Sequence, residues 1–121
     1  MSSATEEKLG TLKIADDVIA VCTMNATTKT KGVAGLSGVF TDSISKNIFG
    51  KDPLYKGIKV NQSEDGISID IYIIVEYGVK IPEVAWDIQE NVKKEVEAMT
   101  EAVVKAVNIH VQGVHFTDEE D

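Results

Sequence analysis

The chain predicts an α+β domain of two layers, a small mixed and mostly antiparallel sheet with two main helices packed on one face. Three observations carry that expectation. Residues 67–99 read ISIDIYIIVEYGVKIPEVAWDIQENVKKEVEAM, and their apolar period changes from two to about 3.6 at Pro82. Upstream, KGIKVN at 56–61 is a second strand, joined to the first by a polar loop containing the hairpin cue Asp65-Gly66. Downstream, Val107, Ile109 and Val111 return to alternation. A strand, a helix and a strand in that order place one parallel pair in an otherwise antiparallel sheet.

The remaining elements follow in chain order. Residues 1–9 are a polar tail expected to be disordered, 10–116 one domain, and 117–121 (TDEED) an acidic tail. A short strand over Thr11–Ile14 leads into a helix with Ala15, Val18, Ile19, Cys22 and Ala26 at helical spacing. Asp16 and Asp17 fall in its first turn, where the helix dipole favours anions. The helix weakens at Thr27-Thr28. In GVAGLSG (32–38) the three glycines serve tight turns and close backbone approach, and Val33 and Leu36 form a short strand or an irregular crossing. Thr41-Asp42 caps a short helix carrying Ile44 and Ile48 that ends at Gly50. Pro82 takes the first turn of the long helix, where its missing N–H has no partner to lose. Ile81, Val84, Ala85, Ile88, Val92, Val96, Met99 and Val103 form its apolar stripe. The final strand changes phase near Gly113, which a bulge explains.

Composition narrows the function. The chain has 121 residues, a formal charge of -8 and one cysteine. The acidic balance disfavours nucleic acid and anionic lipid, and the densest basic pair, Lys93-Lys94, is flanked by Glu90, Glu95 and Glu97. A lone Cys22 and the absence of a signal peptide or an apolar run of membrane length point to the cytoplasm. Membrane association then has to come through a partner.

No residue set reads as catalytic, cofactor-binding or metal-binding. Cys22 lies in an apolar stripe without a nearby base in sequence. His110 and His115 are too few for a metal centre, and a solvated face accounts for them. GVAGLSG lacks the ending of a phosphate loop. The acids of 83–97 fit a solvated helix face. The residues that stand out are apolar or aromatic where a solvated surface needs none. Tyr72 and Ile74 sit on the outward face of strand 67–77, with His110 and Gln112 outward on the last strand. Trp86 lies about 120° from the helix stripe. Tyr72, Ile74, Trp86, His110 and Gln112 are therefore the candidate partner-binding residues. For the sheet face, cover by the chain itself through the 41–49 helix is preferred to cover by a partner, and for Trp86 folding under the loop around Phe40 and Phe49 stands level with partner contact.

The blocks GTLKIA with the following DDVI, GVAGLSG, KGIKV, IDIYIIVEYGVKIPEVAWDIQENVKKEVEAMT and VNIHVQGVHF span 10–116. In that order they resemble the alkaline-shock-protein family, the envelope-stress proteins of Gram-positive bacteria. The chain departs from the family pattern at CTMNATTK, at Trp86 and at Glu101, where a glycine is common. The resemblance implies a cytoplasmic, non-enzymatic protein of envelope stress or homeostasis without cofactors. It further implies self-association and docking to a membrane-anchored partner, or alternatively regulation of an enzyme of fatty-acid metabolism.

Overall fold

The computed structural model of the chain describes residues 13–37, 54–55 and 57–116. The expected tails at 1–9 and 117–121 and the helix at 41–50 lie outside the described residues. Helix α1 runs Asp16–Thr28 and strand β1 Val33–Leu36. Strands β2 (Leu54–Tyr55), β3 (Ile58–Ser63) and β4 (Gly66–Glu76) follow. Helix α2 spans Ile81–Thr100 and strand β5 Val104–His115. Lys13 and Ile14 are not in a strand, so the described half of the expected Thr11–Ile14 strand is irregular.

β4 is the centre of the sheet because its alternation is strict. Ile67, Ile69, Ile71, Ile73 and Val75 are buried, while the residues between them are half-buried. One edge of β4 is shared by two antiparallel strands. β3 takes the first part, from Ser63↔Gly66 to Ile58↔Ile71, and β1 the last part, from Leu36↔Ile73 to Val33↔Val75. The handover occurs at Tyr72, whose N–H donates to Gly57 O at 2.8 Å and whose carbonyl accepts from Ser37 N at 2.8 Å. β5 runs parallel along the other edge, as expected, and β2 pairs outside β3. The register slips between Val111 and Gly113, so the inferred bulge is present and Gln112 is the extra residue.

Both helices cover the isoleucine face. α1 packs on β3 and β1, α2 on β5, and the helices pack on each other. Ile19, Ile58, Ile69, Ile71, Ile73 and Ile88 are fully buried. Each such side chain contributes about 1.5–3 kcal/mol of apolar burial. The α2 stripe holds for Val84, Ile88, Val92 and Val96 and then departs from expectation. Met99, Val103 and Ile81 are exposed, and Thr100 is buried in their place with its hydroxyl donating to Val96 O at 2.7 Å. α1 also departs, because Val18 faces solvent and the buried set is Ile19, Ala20, Cys22, Thr23, Ala26 and Thr27. Of the three glycines, Gly32 needs its identity. Its φ is +98°, and a Cβ there would stand 2.7 Å from Val84 Cγ2. Gly35 has open space around it, and Gly38 lies outside the described residues.

Candidate functional site

On the side of the sheet away from the helices, β4 presents Ser68, Asp70, Tyr72, Ile74 and Glu76, all half-buried. The parallel register sets Asn108 opposite Asp70, His110 opposite Tyr72 and His115 opposite Glu76. Side chains connect along this register, with one diagonal contact from Asp70 to His110. Asp70 Oδ1 accepts from Asn108 Nδ2 at 3.2 Å and lies 3.0 Å from His110 Nε2. A carboxylate accepts, so in this contact the ring donates through Nε2–H. The ring so oriented stacks on Tyr72, with centroids 4.4 Å apart and planes 12° from parallel. Glu76 Oε1 lies 3.1 Å from His115 Nδ1 at the far end of the same face. Ile74 fits between the two pairs beside Gly113, where a Cβ would come within 3.2 Å of Ile74 Cδ1.

Tyr72, Ile74 and His110 are thus brought together. Gln112, the bulge residue, is exposed on the adjoining strand and has no β4 partner in register. Trp86 is not part of this cluster. It is 61% exposed and lies on α2, in the layer behind the sheet. On the helical wheel it shares the flank of Gln89, which donates to Val107 O at 3.0 Å, and of Glu97, which accepts from Val104 N at 2.9 Å. Trp86 therefore belongs to the side of α2 that overlooks β5. Asp70, not singled out as a binding residue, is the group that organises the cluster. The signal that finds it is cross-strand register, which no local pattern contains.

The arrangement holds the Tyr72 and His110 rings in place. His110 and Asp70 pair on the sheet face away from the helices, with Ser68 and Tyr72 on either side of Asp70 along β4. Cys22 is on α1, buried, on the opposite side of the sheet. Burial, and after it the negative charge of Glu95, push its thiol up from the usual range, opposite to what a nucleophile needs. Among the described residues there is no group of three or more His, Cys, Asp or Glu able to hold a metal ion. Among them, too, no helix is long and apolar enough to cross a membrane.

Comparison with known proteins agrees with the fold and gives it a lineage. Residues 4–116 match the profile of the alkaline shock protein family, described as having a cell envelope-related function. YqhY of Bacillus subtilis is 40% identical over 108 residues, covering 89% of this chain and 79% of that protein. YloU of the same organism is 37% identical over 120 residues, covering 98% and 99%. A Streptococcus pyogenes protein titled a stress response regulator gls24 homolog is 26% identical over 102 residues, covering 84% of this chain and 57% of its own length. Among solved structures, MamM-CTD superposes with a TM-score of 0.50 at 13% identity, covering 82% of this chain and 98% of that one. At that identity the likeness is one of fold.

Proposed function

The chain belongs to the alkaline shock protein family, whose function is cell envelope-related, and from that premise we propose that it acts by docking a protein partner on its open sheet face. The observation that carries this reading is the Asp70–His110–Tyr72 arrangement. Asp70 bonds the His110 ring, which stacks on Tyr72, and among the described residues these rings and Ile74 stand half-buried on the sheet face away from α1 and α2. Pre-positioned aromatic side chains of this kind dominate binding energy at interfaces, because little rotamer freedom remains to be lost. The envelope-related description supports a partner that is itself anchored in the membrane, with the acidic chain held on the cytoplasmic side. The stress-response title of the Streptococcus pyogenes relative supports a role in envelope stress. Gln112 extends the surface along β5, and Trp86 marks a separate, weaker candidate.

The test is capture from the native cell with the tagged chain. A small transmembrane protein is expected with the wild type, recovered at least about tenfold less by Tyr72→Ala and by His110→Ala, equivalent to about 1.4 kcal/mol. Melting of both variants should stay close to wild type. Undiminished recovery by both variants, or capture of a soluble metabolic enzyme, would overturn the reading. Trp86 is the single tryptophan and reports which layer is used. Docking on the sheet leaves its emission unchanged, whereas a blue shift on partner addition would move the contact to the helix layer.

A further inference from the structure

β5 is an outer strand: among the described residues nothing pairs with it on the side away from β4. The hydrogen bonds of β4 show which backbone groups of β5 face that side. Tyr72 N and Glu76 N donate to Gly57 O and Gly32 O, on the edge shared by β3 and β1. Ile67 N and Tyr77 N donate the other way, to Val103 O and His115 O. Odd positions of β4 therefore serve β5. In a parallel ladder of this register Val104, Val107, Ile109, Val111 and Val114 turn their N–H and C=O outward. Two contacts from α2 agree with that phase. Val104 N donates to Glu97 Oε2 at 2.9 Å, and Val107 O accepts from Gln89 Nε2 at 3.0 Å.

Glu97 and Gln89 thus cap the first part of the edge, one of the ways in which proteins blunt an outer strand. From Ile109 to Val114 no side chain among the described residues does the same. The side chains of this stretch suit an added strand. Ile109 and Val111 register with Ile71 and Ile73, so they point into the helix layer, yet they are only half-buried, and Val114 is 41% exposed. Trp86 stands on the flank of α2 that overlooks them, and the exposed rings of Tyr77 and Phe116 stack at 4.8 Å beyond Val114. An open backbone edge beside an apolar ledge is completed by an extended segment. Main-chain hydrogen bonds hold such a segment, and its alternate side chains enter the helix layer. A helix in the same place would leave the outward N–H and C=O groups without partners.

Length and charge indicate whose segment it is. The open stretch is roughly 20 Å long, whereas folded copies that dimerise stably bury about 1,600 Å². The bulge at Gln112 twists the edge, so a flat strand of a second sheet follows it poorly and a flexible segment follows it easily. Two copies would also bring a charge of -8 against -8. The chain has 20 acidic residues, but β5 contains none, and its open stretch, IHVQGV, has no lysine either. Such an edge calls for an uncharged segment.

We propose that the outer edge of β5 between Ile109 and Val114 binds a short, uncharged, extended segment of another protein. The segment adds as a further strand, with alternate β-branched or aromatic side chains packed beneath Trp86. This site stands independently of the docking assigned to the sheet face, since it uses the backbone edge and the helix layer.

The probe is a short, end-capped peptide alternating valine and threonine, without tryptophan, titrated into the full chain. Emission of Trp86, the single tryptophan, should shift to the blue and saturate. Two versions of the peptide, N-methylated on one or the other set of alternate nitrogens, keep its side chains. One version should bind at least about tenfold more weakly and the other nearly as before, since only one row of N–H groups faces β5. Val111→Pro removes an outward N–H on an edge strand, where proline is tolerated, and should weaken binding to a similar degree with its circular dichroism kept. If that variant does not fold, the two methylated peptides on the wild-type chain decide. No shift at peptide concentrations up to about 1 mM overturns the proposal. So do methylated versions that bind alike, which would mean adhesion of side chains without strand pairing. A dimer of the free chain that Val111→Pro dissolves would give the edge to a second copy and overturn the proposal as well.

Discussion

Thr27 is fully buried in α1, and its hydroxyl has no hydrogen-bond partner among the described residues. Its neighbours behave differently: Thr23 donates to Ile19 O at 2.8 Å and Thr30 to Ala26 O at 2.9 Å. An unsatisfied buried hydroxyl carries a desolvation penalty that a methyl of the same shape does not. Thr27→Val is expected to raise stability by about 1 kcal/mol in urea denaturation, and Thr23→Val to bring no such gain. Cys22 gives a pH dependence whose sign follows from its raised thiol. The folded chain keeps that proton at pH values where the unfolded chain, with a thiol near about 8.5, releases it. Stability contributed by the neutral thiol is therefore complete below that pH and is lost as pH rises toward the folded value. Denaturation across a pH series should show a decline that Cys22→Ala lessens, and native-state alkylation should be slow at neutral pH. The burial of Cys22 is legible from its place in an apolar stripe. The orphan hydroxyl of Thr27 was not, because it depends on what the neighbouring elements offer.

At the scale of elements, long periodic segments are legible in the sequence and short or two-faced ones are not. The 3.6 period of α2 and the twofold period of β4 were visible because each runs over several repeats. β2, with two residues, contains no period to see. Spacing puts Val18 on the α1 stripe but does not show how wide a stripe the neighbours cover, and Val18 lies outside it. The hairpin cue at Asp65-Gly66 was sound, although the two linking residues are Glu64 and Asp65 and Gly66 already pairs with Ser63. The glycine is required by contact with the far end of the β4–α2–β5 unit. Its φ is +141°, and a Cβ would lie 2.7 Å from the Val103 carbonyl oxygen, a backbone atom that cannot turn aside. That oxygen also accepts from Ile67 N at 2.8 Å, tying the start of β5 to β4. Gly66→Ala should lower stability by about 2–3 kcal/mol, seen as a lower urea midpoint at unchanged slope. Gly35→Ala, with open space and no left-handed φ, should be close to neutral.

For the molecule as a whole, the parallel placement of β5 decides what the surface can do. It brings Asn108 and His110 to Asp70 across 38 and 40 positions of sequence. The bulge at Gln112 then resets the phase so that Gly113 leaves room for Ile74 and His115 meets Glu76. The sequence by itself determined the α+β class, the central strand, the long helix, the inward faces of both and the family. These follow from local periodicity and from residue types that the backbone reads over a few neighbours. The tertiary structure alone decided that Tyr72, Ile74 and His110 form one cluster under the control of Asp70. It also placed Trp86 in the opposite layer and, among the described residues, left the outer edge of β5 open from Ile109 to Val114. Register and layer order depend on how the crossover closes, and alternation is identical for every register that keeps the same phase.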